Sequence, residues 1–199
     1  MPLILRKVSV STLTHLKTLG DNIIKSEVGG LMEERIKILR VMNEITGKVG
    51  LKEFTEMVGL TLGQTLGYLQ GLEKTGFVRK VERRYSITEE GKIALKALSP
   101  VPEDMEFRFY MGIGEYTGLS TKTLKDFCEL LKKVDVGSLE FHVSRGDFEN
   151  WITVVFGDTK LANEIKRIRE SKLGGEILRN EILCTTEARY DKFGKLLAP

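Results

Sequence analysis

The order of elements written into residues 33–98 constrains this chain more than any single motif. Ile36, Leu39, Met42 (or Val41) and Ile45 recur at helical spacing and give a first helix that ends near Gly47. Val49-Gly50 is a brief extended link, and Leu51 to Val58 reads as a short helix with Phe54, Met57 and Val58 on one side. Gly59 is placed to take the left-handed conformation that ends this helix. Thr61 is placed to cap the next, which runs to about Thr75 with Thr65, Leu69 and Leu72 facing inward. Gly76 closes it. Phe77-Val78-Arg79-Lys80 and Arg84-Tyr85-Ser86-Ile87 are strand candidates joined by Val81-Glu82-Arg83, and Thr88 caps a further helix from Glu89 to Leu98.

The stretch LKEFTEMVGLTLGQTLGYLQGLEKTGFVRKVERRYSITEEG resembles the winged helix-turn-helix superfamily, through its glycine turn, its Leu-x-x-Leu core pair and the segments KTGFV and YSITEEG. With the flanking helices, over residues 33–98, the resemblance covers about a third of the chain and speaks for a fold, not a function. In a DNA reader of that kind, exposed positions of the third helix meet base edges. Those positions make Thr61, Gln64, Gln70 and Lys74 candidate nucleic-acid contacts. Arginine and lysine, the usual guanine readers, are absent from the helix until Lys74. Gly63, Gly67 and Gly71 form a small-residue stripe, which anticipates a DNA backbone, another helix or a protein partner packed closely against it. In the wing, Arg79, Lys80, Arg83 and Arg84 face only Glu82 in opposition, a cluster suited to phosphate contacts. A solvated hairpin with charged edges accounts for the same residues.

Charge follows the same division. Residues 1–98 carry 16 Lys+Arg against 11 Asp+Glu, and residues 99–199 carry 15 against 17, so a front half of +5 precedes a back half of −2. A modest basic excess favours polyanions without naming one. Two glutamines and five asparagines beside many charged residues lean towards a thermophile. The apolar runs are too short to span a bilayer, and the start MPLILRKVSV does not read as a signal peptide, so a cytoplasmic protein is expected. Cys128 and Cys184 are far apart with no ligands at metal spacing; neither a metal nor a cofactor is expected.

Before the first helix, Leu13, Leu16, Gly20, Ile23 and Ile24 trace an apolar stripe that ends at Gly29-Gly30. Leu13, Leu16, Ile23 and Ile24 are therefore candidates for a homodimer contact, the alternative being packing on the helix's own chain. Ser99-Pro100-Val101-Pro102-Glu103-Asp104 reads as a linker. The expected organisation is an extension over 1–30, a winged helix-turn-helix domain over 31–98, a linker over 99–106 and a mainly helical domain over 107–199. The fold class is α+β, mostly α.

In the back half, Phe107–Tyr110 is strand-like, and a glycine-rich turn over Gly112–Gly118 leads to a helix near Thr121–Lys133 that buries Leu124, Phe127, Cys128 and Leu131. The glycines miss the dinucleotide fingerprint by one residue. His142, Arg145 and Asp147, with Trp151, are read as a polar knot or a partner site, Asp147 holding a cation and capping a helix that begins near Phe148. Glu140 and Glu149 read as surface acids. With no nucleophile and no defined pocket, no catalytic residue is assigned and no enzyme is expected. The pattern His-x-x-Arg-Gly-Asp-Phe-x-x-Trp, with GDTKLANEIKRI and GGEILRNEI, looks like a domain of unknown function widespread in archaeal proteins, some joined to a winged helix. That resemblance implies an archaeal source and a mainly helical domain. By periodicity alone Ser138–Ser144 fits strand or helix; the resemblance implies helix.

The expected function is a non-enzymatic, dimeric, nucleic-acid-associated regulator, with DNA favoured and transcription its default by fold analogy. The alternative is a winged-helix scaffold on RNA, a ribosomal subunit or a protein, of the kind that bridges small subunits in ribosome hibernation.

Overall fold

A computed structural model describes residues 30, 32–45, 49–82 and 84–197. The candidate dimer residues Leu13, Leu16, Ile23 and Ile24, and Arg83 of the basic cluster, lie outside the described residues. The fold is α+β and mostly helical, with two separate two-stranded antiparallel sheets.

Helix α1, over residues 32–44, precedes α2 (Leu51–Val58) and α3 (Leu62–Lys74). Between α2 and α3 the chain reverses at Gly59, whose φ of 68° is the left-handed conformation that favours glycine. Thr61 caps α3, which buries Thr65, Leu69 and Leu72. On α2, Phe54 and Val58 are buried but Met57 is 49% exposed, so the apolar face is narrower than its spacing indicates. Strands β1 (Val78–Val81) and β2 (Arg84–Ile87) pair from Val78–Ile87 to Val81–Arg84, and Glu82, directly after β1, takes a φ of 56°. Thr88 caps α4 (Glu89–Ala97) by accepting the Gly91 N–H.

Helix α4 seats on the base of this hairpin with no room to spare. A Cβ added at Gly91 would lie 2.2 Å from the Phe77 carbonyl oxygen, which already accepts hydrogen bonds from the Thr88 N–H and hydroxyl. The contact is with backbone, so nothing flexible can yield. Gly91→Ala is expected to destabilise the chain by about 1–3 kcal/mol, the usual cost of overpacking. An unchanged melting temperature would show that α4 can shift.

A 3₁₀ turn at Glu103–Met105 leads into β3 (Phe107–Tyr110), paired with β4 (Tyr116–Thr121) across an irregular register between Arg108 and Tyr110. Then follow α5 (Leu124–Leu131), α6 (Val136–Arg145), α7 (Asp147–Trp151), a π-helical turn (Ile152–Phe156), α8 (Thr159–Glu170) and the long α9 (Gly175–Leu197). The stretch Ser138–Ser144 is helical, inside α6. The core of the part from β3 to α9 is aromatic: Phe107, Phe109, Phe127 and Phe148 pack with ring centroids 5.0–6.3 Å apart. Cys128 is buried here, and burial pushes its thiol up to about 12. Helix α9 packs on α5 and α8 and carries Phe193 back to within 6.4 Å of Phe77 at the hairpin base. Among the described residues no helix is long and apolar enough to cross a membrane.

Candidate functional site

Two places collect the residues that sequence patterning singles out. The first is α3 with the β1–β2 hairpin. Side chains directly opposite in an antiparallel pair share a face. Arg79 is opposite Ser86 and donates to its hydroxyl at 3.1 Å; Lys80 is opposite Tyr85 and sits 5.3 Å from its ring centroid. Arg79, Lys80 and Arg84 are exposed, and none has a carboxylate partner among the described residues. Along α3, Thr61, Gln64, Gln70 and Lys74 are all exposed.

Gln64 has a local task. Its amide oxygen accepts the Thr61 N–H at 3.1 Å and the Thr61 hydroxyl at 2.8 Å, while Thr61 Oγ1 accepts the Gln64 N–H at 3.3 Å. This reciprocal box satisfies helix-end donors and occupies the oxygen that an adenine would need. Along the glycine stripe the described residues come close at one position only. Positions beside Gly63 and Gly67 are open among the described residues, and only the Arg35 guanidinium approaches Gly71.

The second place is a cleft of about 550 Å³ between β3, the β3–β4 turn and the C-terminal end of α6. His142, Arg145 and Asp147 line it together. The Tyr110 backbone N–H donates to His142 Nε2 at 2.8 Å. That assignment leaves the proton on Nδ1, which donates to Asp147 Oδ2 at 2.8 Å. Arg145 Nε donates to the same oxygen at 3.2 Å. Asp147 therefore binds the histidine and the arginine together. It does not cap α7, whose N-cap is Gly146 with no side-chain bond, because its carboxylate is committed to the preceding helix.

These polar side chains hold the backbone of the cleft walls. Ser138 donates its hydroxyl to the Tyr110 carbonyl at 2.8 Å, so β3 is gripped at both backbone groups of one residue. The buried Trp151 donates its indole N–H to the Met105 carbonyl at 2.9 Å and fixes the 3₁₀ turn across the cleft. Glu149 is not a surface acid: it is buried, and Arg169 Nε donates to it at 2.7 Å. Glu140 is exposed but accepts the Gly175 N–H, tying α6 to the start of α9.

With both nitrogens engaged and aromatic rings around it, His142 has no lone pair turned to a substrate. Burial moves its pKa down, and the Asp147 hydrogen bond opposes that only in part. The folded protein then binds fewer protons at this site than the unfolded chain, so stability should fall as pH drops below about 6.5. Asp147→Ala should cost about 1–3 kcal/mol by leaving the buried imidazole N–H without an acceptor. Arg145, half exposed, should contribute about 0–1. Urea midpoints at neutral and mildly acidic pH check both expectations; a midpoint that rises on acidification contradicts the first. Among the described residues no cluster of histidine, cysteine and acid side chains is arranged to hold a metal ion.

Residues 85–187 match the model of a family of unknown function (DUF5752). The chain belongs to that family. No curated protein and no solved structure matches it. The DUF5752 stretch holds the whole cleft with His142, Arg145, Asp147 and Trp151, and it begins inside β2, so it also takes in α4. The basic residues Arg79, Lys80 and Arg84 precede it in sequence.

Proposed function

We propose that the protein is a nucleic-acid-binding regulator in which α1 to α4 with the β1–β2 hairpin form a winged helix-turn-helix unit. The observation that carries this is the hairpin itself: Arg79, Lys80 and Arg84 stand exposed and, among the described residues, without carboxylate partners, directly after two helices joined through a left-handed glycine. Cations so placed suit phosphate, which positions a nucleic acid without reading it. Transcriptional control is the default for such a unit by fold analogy.

The capping role of Gln64 favours a second reading on the same surface, a scaffold on structured RNA such as a ribosomal subunit, because phosphate-dominated contact does not need base edges. The full chain titrated with duplex DNA and with structured RNA tests the proposal. Binding that weakens as salt rises is expected; no binding of either polymer at low salt would overturn it.

The regulator is proposed to act as a homodimer through Leu13, Leu16, Ile23 and Ile24. Leu16→Asp with Ile23→Asp should then give monomers by sedimentation, and an unchanged dimer would place the interface elsewhere.

A further inference from the structure

We infer that the cleft of the DUF5752 region, together with the β3–β4 turn, is a docking surface for a basic, apolar-bearing segment of a protein partner. This goes beyond the nucleic-acid reading and does not depend on it.

The first observation is the turn. It is closed by the Met111 N–H donating to Glu115 O at 2.9 Å and the Glu115 N–H donating to Gly112 O at 3.1 Å, with Gly114 at a φ of 81°. Turn tips ordinarily carry Gly, Asn, Asp or Ser. Here the tip carries Ile113, 89% exposed. Met111 and Tyr116, 43% and 48% exposed, flank the same turn. Exposed apolar side chains gathered in one place mark interaction sites, whereas scattered ones need no explanation.

The second observation is the charge beside that knuckle. Glu103, Asp104, Glu106 and Asp147 line the cleft against only Arg108 and Arg145. Both arginines are already held, Arg108 by Glu106 at 2.7 Å and Arg145 by Asp147 at 3.2 Å. Asp104 has no ion-pair partner among the described residues, and Glu103 has only the exposed Lys122 at 3.8 Å. The surplus is negative, and Tyr110 and Phe141 line the same cleft, with the Arg145 guanidinium already 5.2 Å from the Phe141 ring centroid. A lysine or arginine side chain meets the open carboxylates of Glu103 and Asp104 there, while an apolar neighbour in the same segment packs on Ile113.

The third observation is rigidity. Trp151, Ser138 and His142 fix the backbone at Met105 and Tyr110, so the surface is held in shape before anything binds. Preorganisation of this kind lowers the ordering cost of association.

The probe is a short synthetic peptide alternating arginine and leucine, with a glutamate–leucine peptide as its counterpart, titrated against the full chain by calorimetry. The arginine peptide should bind and the glutamate peptide should not. Ile113→Asp should weaken binding at least tenfold, and Glu103→Lys with Asp104→Lys should weaken it by a similar factor; all three residues are exposed, so the fold should survive. Binding that neither variant alters, or no binding at all, overturns the proposal. Conversion of a dimer to monomers by Ile113→Asp also overturns it, by making a second copy of this chain the occupant.

Discussion

Replacing Arg189 with alanine is expected to lower stability by about 3–5 kcal/mol, the range seen when one partner is stripped from a buried ion pair. The guanidinium is 9% exposed and grips Asp158 through two nitrogens, Nε at 2.7 Å and Nη2 at 3.2 Å. A third nitrogen donates to Glu90 Oε1 at 2.7 Å, and the group lies 4.3 Å from the Phe193 ring centroid. Asp158 is 1% exposed and also caps α8 by accepting the Leu161 N–H, so it cannot turn away to water. Glu90 belongs to α4, and its carboxyl is held below the usual range first by the Arg189 hydrogen bond. One side chain thereby ties α4 to α8 and α9. Arg189→Lys should recover only part of the loss, because an ammonium cannot reproduce the fork. Denaturant unfolding measures both variants. A loss under about 1 kcal/mol for the alanine variant would mean that water already screens the network.

That network also marks where sequence patterning stops. Glu90 and Arg189 are 99 residues apart, and no periodicity links them. Local signals were another matter. Gly59, Thr61 and Thr88 announced their turn and caps because left-handed backbone and helix-end donors select few residue types. The faces of α3 and α5 followed from helical spacing. Strand β4 did not: its start at Tyr116 lies among the glycines that read as a turn, and Gly118, at a φ of 82°, kinks it from within. At the cleft, His142, Arg145 and Asp147 are legible as a group with Asp147 holding a cation, but the helix cap that spacing also assigns to Asp147 is not there. Spacing cannot tell a capping carboxylate from one that turns back to a histidine, nor that Trp151 reaches Met105 across 46 residues. Glu149 looked like surface because an acid's burial depends on a partner, Arg169, supplied by another helix.

The hairpin carries the other large effect. Each phosphate neutralised by a cation steepens the salt dependence of duplex binding by about 0.9, so losing two such cations should flatten it by about two units. Lys80 and Arg84 suit the test because both are exposed and neither is held by a carboxylate among the described residues. Lys80→Ala with Arg84→Ala should weaken binding to all sequences alike. Gln64→Ala removes half of the capping box, and should cost some helix stability while leaving sequence preference nearly untouched. The decisive measurement is the titration of both variants and wild type against duplex DNA and structured RNA across a salt series. The predicted result is a slope about two units shallower for the hairpin variant and a wild-type slope for Gln64→Ala. A hairpin variant that keeps the wild-type slope, beside a Gln64→Ala protein that no longer discriminates among sequences, would contradict a phosphate-gripping hairpin and make α3 a reader of bases.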